Sequence, residues 1–345
     1  MSQVFIRGWG AVSPAGWGAA ALREALDRGT PLPVTPLPGP GSGEPFSVRP
    51  VPPPVTRPAA LSHPRLRRAS PIGQHVVAAG WEALGADLDR VARGEVKLGV
   101  IVAVMTGCVN YSRRFYDETL RDPSTASPMV FPETVFNAPA SHLAASLGTT
   151  LESTTIVGDD GSFLQGVALA ADWLSRGKVD GCLVVGAEEV DWLVAGAMRF
   201  FHCAPVLAGG AGALYLRSEP GDPCGPVLDA ITDAFTFTSG ETRRQAALNM
   251  RRQLGSAGDP GLLVDGTIGV AASDAAEVGA WVDWTGTRLA PKAVFGEAFP
   301  ASAAWHCVVA CDALQRGVTT AATVSVVGAN QQAIGARFVP GRAGS

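Results

Sequence analysis

The sequence predicts an α/β fold with a parallel or mixed sheet covered on both faces. Three observations carry this. Short apolar runs recur without the alternation of a sheet that is wet on one side. Segments with helical spacing separate them. The order strand, helix, strand occurs twice, with a polar, proline-bearing seam near 217–226. Two α/β halves in one body follow, residues 1–217 and 218–345.

In chain order, Val4–Val12 reads as a strand, Ser13–Gly16 as a turn and Ala19–Arg28 as a helix. Residues 31–58 hold eleven prolines and read as an irregular surface excursion outside the core. Ser70–Leu84 is helical and Val96–Val104 a continuous apolar strand. Further β runs are expected at Thr154–Val157, Gly181–Gly186, Gly212–Leu216, Gly261–Val264 and Thr323–Val327. Helices are expected at Ala138–Leu147, Ser162–Gly177, Glu241–Leu254, Asp274–Asp283 and Ala301–Gly317.

The 345 residues suffice to bury a full core without disulfides or metal. Lys+Arg 27 against Asp+Glu 31 gives a net charge of −4, which speaks against nucleic acid as a partner. No apolar run is long enough for a membrane span. Met1–Arg7 lacks a signal-peptide pattern, so a cytoplasmic location is expected. There the six cysteines read as buried thiols. Cys307 and Cys311 share a helix face, and no paired CxxC marks a zinc site.

Six segments, in order, resemble the β-ketoacyl synthase family. Val4–Gly16 resembles its first strand and turn. Ser127-Pro128, Phe131-Pro132, Thr134-Val135 and Asn137-Ala138 resemble its dimer-interface segment. Ala208–Leu214 is similar to the GEGAGAL strand. Asp265–Thr267, followed by Asp274–Glu277, is similar to HGTGT followed by GDAAE. Lys292 with Gly296 resembles the K-x-x-x-G-H segment, and Val327–Asn330 takes the place of the Gly-rich loop. The resemblance spans about residues 4–338. It implies a thiolase-like five-layer αβαβα sandwich and a dimer across the Asn137–Leu147 region.

The family's Cys-His-His triad is absent. Counting back from Arg176-Gly177 puts Asp160 at the nucleophile position, with Asp159 or Gly161 one register away. Asp265 and Glu297 stand at the two histidine positions, and Lys292 is retained. A carboxylate is a poor acyl acceptor, because the product is a reactive anhydride. Without imidazoles the developing oxyanions lose their donors. Condensation at such a site is not expected.

Asp160 also suits a helix N-cap. Convergent carboxylates, with Lys292 neutralising one, would suit acid/base work or a divalent ion. Ser162 lies just after the turn, without a GxSxG elbow. His202 and Phe201, by the resemblance, would line the acyl pocket together with Ser162 and Asn330. His142 falls in the interface-like segment. Arginines at 65, 67 and 68, at 113 and 114, and at 243, 244, 251 and 252 form basic patches.

The resemblance implies a chain length factor-like subunit of type II fatty acid, polyketide or aryl polyene biosynthesis. Its partners would be an active ketosynthase, or a second copy, and an acidic acyl carrier protein. No cofactor is expected on this chain, since phosphopantetheine is borne by the carrier. The alternative is altered acid/base chemistry on an acyl thioester by Asp160, Asp265 and Glu297, tuned by Lys292.

Overall fold

The computed structural model describes residues 3–41, 43–148, 152–200, 205–255 and 261–341. Its strands in the first half are β1 (Val4–Ser13), β2 (Gly16–Trp17), β3 (Thr35–Leu37), β4 (Phe46–Arg49), β5 (Leu98–Val104), β6 (Glu152–Val157), β7 (Gly181–Glu188), β8 (Leu207–Ala208) and β9 (Gly210–Arg217). Those of the second are β10 (Val227–Ile231), β11 (Phe235–Thr236), β12 (Leu262–Val264), β13 (Thr287–Leu289), β14 (Ala322–Val327) and β15 (Gln332–Val339).

Strand order shows how the two halves relate. The first half runs β6-β5-β7-β9-β1 and the second β13-β12-β14-β15-β10. In each, the first three strands are parallel and the last two join antiparallel. The same topology therefore occurs twice. The two sets meet where β1 pairs antiparallel with β10, Val4 opposite Leu228 and Phe5 opposite Val227.

The helices are α1 (Ala19–Arg28), α2 (Pro71–Leu84), α3 (Leu88–Ala92), α4 (Val109–Arg121), α5 (Ala138–Leu147), α6 (Ser162–Ser175), α7 (Trp192–Phe200), α8 (Gly240–Leu254), α9 (Ala271–Ala280), α10 (Pro291–Phe295) and α11 (Pro300–Gln315). Helices α6 and α11 form the central layer: α11 touches β7 and β9 of one set and β12 and β14 of the other. Every residue of α11 from Pro300 to Cys311 is buried. A helix apolar on all sides can only lie between two layers. Its small side chains let the sheets approach. A Cβ on Gly186 would meet the Pro300 carbonyl at 2.2 Å, and one on Gly212 would meet Ala304 Cβ at 2.7 Å.

Helices α2 and α5 cover the outer face of the first sheet, and α8 and α9 that of the second. Helix, sheet, helix, sheet, helix gives five layers, as the resemblance implies. The sheet is mixed rather than wholly parallel. Cys307 and Cys311 are both buried on α11, and the cysteines at 108, 182, 224, 307 and 311 are free thiols. Among the described residues, no helix is long and apolar enough to cross a membrane.

The excursion 31–58 departs from its sequence reading. Its middle forms β3 and β4, which pair antiparallel, and β4 pairs parallel with β8. Val48 is buried in a small apolar cluster, and Arg49 donates from Nε to the Leu32 carbonyl at 2.7 Å. Ten of the eleven prolines fall outside these strands, and Pro36 sits in edge strand β3, where proline is tolerated, so composition alone conceals the hairpin.

Candidate functional site

Strand β6 ends at Val157 and the chain turns through Gly158-Asp159-Asp160-Gly161 into α6. Both aspartates are buried, and they do different things. Asp159 ties the turn to the loop before β15. Its carboxylate accepts from the amides of Gly161 (3.3 Å) and Gln331 (2.9 Å) and from Gln332 Nε2 (3.3 Å). Gly328 must be glycine beside it, since a Cβ there would lie 2.0 Å from Asp159 Oδ2. Burial, then the neighbouring Asp160, raises the Asp159 carboxyl above its ordinary range.

Asp160 is not an N-cap. Gly161 holds that position and no side chain caps α6. Asp160 Oδ2 instead accepts from Lys292 Nζ, which reaches it from α10. The same Nζ donates to Glu297 Oε2 at 2.7 Å. Glu297 Oε1 accepts the amide of Phe299 at 2.8 Å, across a turn in which Phe299 has φ 48°. That is left-handed backbone, costly for a β-carbon residue, and the Glu297 carboxylate holds it.

All three charged side chains are at most 6% exposed, so solvent screens them little. Burial works against the Lys292 charge, but Asp160 and Glu297 more than offset it, and the ammonium is held far above its ordinary range. Burial and then Asp160 push Glu297 up to about 7, against the pull of Lys292. A lysine held protonated is no nucleophile.

Asp265 does not join this cluster. Its Oδ1 accepts from Thr267 Oγ1 at 2.6 Å and its Oδ2 from Arg288 Nη2 at 3.1 Å. The expected three-carboxylate cluster is thus a two-carboxylate one, because Arg288 on β13 draws Asp265 to the side. Ser162 is buried, and its Oγ has no partner. Asn330 is exposed, and its amide reaches Asp159 Oδ2 only at 3.5 Å. Phe201 and His202 lie outside the described residues. Of the alternatives Asp159, Asp160 and Gly161, Asp160 is the one that meets Lys292.

Sequence reasoning missed Glu277, Arg243, Met198 and His306. The first three line, with Asp160, Lys292 and Glu297, a cavity of about 30 Å³. Glu277 is pushed up to about 7 by burial and then by Asp265. His306 on α11 is fully buried, and neither ring nitrogen has a partner. Burial, then Lys292, holds it well below the ordinary imidazole range, so it is neutral. The four come from four different helices; Glu277 ends the Asp274–Glu277 segment already likened to GDAAE, and no local motif marks Arg243, Met198 or His306. Binding sites for small molecules usually measure about 300–1,000 Å³, so this cavity accepts water rather than an acyl chain. Among the described residues no group of metal-ligating side chains converges.

Two surfaces stand out. Helix α4 has no buried residue. Phe131, whose ring centroid lies 5.4 Å from that of Phe115 on α4, is exposed, as are Val135, Phe136 and, at the end of edge strand β6, Val157. Beside them is a concavity of about 780 Å³ bearing Arg65, Arg67 and Arg68, with Glu133 and His142 among its walls. Those two are paired, His142 Nε2 to Glu133 Oε2, at 2.7 Å.

No protein-family model and no curated protein matches the sequence. Solved structures do match across nearly the whole chain. A ketosynthase (ApeO) in complex with its chain length factor (ApeC) from Xenorhabdus doucetiae superimposes with a TM-score of 0.80 at 14% identity, covering 99% of this chain and 98% of that one. The AntDE:AntF complex, a type II polyketide acyl-carrier protein with its ketosynthase, gives 0.79 at 15%, covering 98% and 99%. The ishigamide ketosynthase/chain length factor gives 0.76 at 18%, covering 98% and 99%. The chain has the thiolase-like fold of ketosynthases and chain length factors.

Proposed function

We propose that this chain is a condensation-inactive subunit of the chain length factor type. It would pair with an active ketosynthase of type II fatty acid, polyketide or aryl polyene biosynthesis and work on chains carried by an acyl carrier protein. The observation that carries the proposal is the ion triplet Asp160–Lys292–Glu297, buried beside a cavity of about 30 Å³. At the turn where the resemblance places a thiolate there is a carboxylate already committed to an ammonium. Loss of such a nucleophile removes orders of magnitude of rate.

The two surfaces support the partners. An edge strand with exposed apolar neighbours, and a helix with no fully buried residue, call for a covering subunit. Two of the similar structures are, by name, ketosynthases with chain length factors, and one holds an acyl-carrier protein. The exposed Arg65, Arg67 and Arg68 suit an acidic carrier.

The test is co-expression with a ketosynthase encoded beside it, followed by light scattering on the purified complex. A one-to-one heterodimer is the expected result. A homodimer that ignores the synthase overturns the subunit role.

One observation favours a second reading, acid/base chemistry on an acyl thioester. Glu277 and Glu297, both held near 7, face the same cavity, and groups poised there suit proton transfer. Asp160→Asn separates the two. The subunit reading predicts unchanged output from the complex, and the enzyme reading a large loss.

A further inference from the structure

The proline-rich strap and the substituted site are hydrogen-bonded into one unit. The backbone of Glu297 pairs with the segment around β8: its amide donates to the Val206 carbonyl at 2.8 Å, and the Ala208 amide donates back to it at 2.7 Å. Strand β8 pairs in turn with β4, Val48 opposite Leu207 and Arg49 opposite Ala208, and β4 with β3. Glu297 is therefore the inner edge of a small sheet whose outer strands belong to the strap.

Side chains follow the same line. Met198 lines the cavity beside Lys292, and it belongs to an apolar cluster with Val48, Val194, Leu207 and Phe299, all buried. Phe46 of the strap packs at the outer side of this cluster, its ring 4.1 Å from the Arg199 guanidinium carbon. Met105 and Val109 pack on it from the side of α4. The cluster thus fills the apolar ground between the charged site, the surface and the face that awaits a partner. Among the described residues, Met198 is the cavity's apolar link to this cluster, while Ile268, Val327 and Ala329 line other walls.

We propose that the strap, with Val48 and Phe46 at its centre, is a resident plug. It occupies the route an acyl chain would take, so this subunit holds no acyl chain and leaves its housing to the partner. The inference rests on the condensation-inactive reading and deepens it.

The probe is undecanoic acid carrying a dansyl fluorophore, titrated into the purified full-length chain. The wild type should give no saturable rise in fluorescence. The double substitution V48A with M198A empties two adjacent positions, and apolar cavities of that kind take up apolar ligands, so a gain of about tenfold or more in affinity is expected. Near-UV circular dichroism checks that the variant is folded. V48A alone, a smaller truncation, serves if the double variant is not, and should bind more tightly than the wild type. Saturable binding by the wild type, displaced by unlabelled lauric acid, overturns the plug. So does a folded opened variant that gains nothing. A wild type that binds the probe yet pairs with the synthase overturns the plug alone. A chain that excludes the probe but never pairs overturns the subunit reading alone.

Discussion

Lys292 Nζ donates to Glu297 Oε2 at 2.7 Å, from the short helix just before it, and the same ammonium holds Asp160. One cation between two carboxylates, all buried, makes a compact ionic knot. Asp160 Oδ1 has no partner, so Asp160 depends on this one ammonium, and that makes the knot testable.

Lys292→Met should leave Asp160 and Glu297 buried without their cation. Removing one partner of a buried ion pair costs about 3–5 kcal/mol. Urea denaturation should show that loss. Adding Asp160→Asn and Glu297→Gln to the same variant should recover most of it, since no unpaired charge then remains.

Stability should fall from mildly acidic to alkaline pH. Glu188, Glu189 and Glu277 are each pushed up to about 7, burial being the largest cause, against an ordinary carboxyl value of 4.5. A carboxyl with a raised folded value favours the fold in its protonated form. Its contribution is complete below about 4.5 and is lost as the pH rises through about 7. Each such group is worth about 3 kcal/mol at most on this scale. Thermal melts at pH 5.5 and 8.5 should differ in that direction, and Glu188→Gln should flatten the slope.

Asp265→Asn should be nearly silent. Its partner Arg288 is a third exposed, so the loss should be about 1 kcal/mol by denaturation. Output of the assembled complex should not change. A large loss of output would return Asp265 to the working site.

Reversing Arg65, Arg67 and Arg68 to glutamate should weaken association with the carrier protein. The difference from wild type should shrink as salt is raised, because exposed charges are screened within about 10 Å at 0.1 M. Surface plasmon resonance at two ionic strengths reads both effects.

Much of the fold was legible in the sequence. The bounds of α1 (Ala19–Arg28) and α5 (Ala138–Leu147) agree with the helical spacing read there. Strand β15 was not legible, although it is central: Gln332, Gly335 and Arg337 break its apolar run. Helix α4 was not among the expected helices; its residues are at most part-buried on this chain. The strap misled because proline content signals an irregular loop more strongly than a two-strand edge hairpin. At the site, Asp160, Lys292 and Glu297 could be aligned with a known pattern. Asp265 could not be judged, because its fate depends on Arg288, a neighbour that only the sheet brings alongside. Met198, Arg243 and Glu277 reach the cavity from three separate helices, and no spacing along the chain records that.

The central claim is that this chain does not take up an acyl group. Intact-protein mass spectrometry tests it most directly, after the purified complex is incubated with acyl-loaded carrier protein. The account predicts that the synthase gains the acyl mass while this chain stays at its unmodified mass. An acyl adduct on this chain, or condensation product made by this chain without its partner, would contradict it.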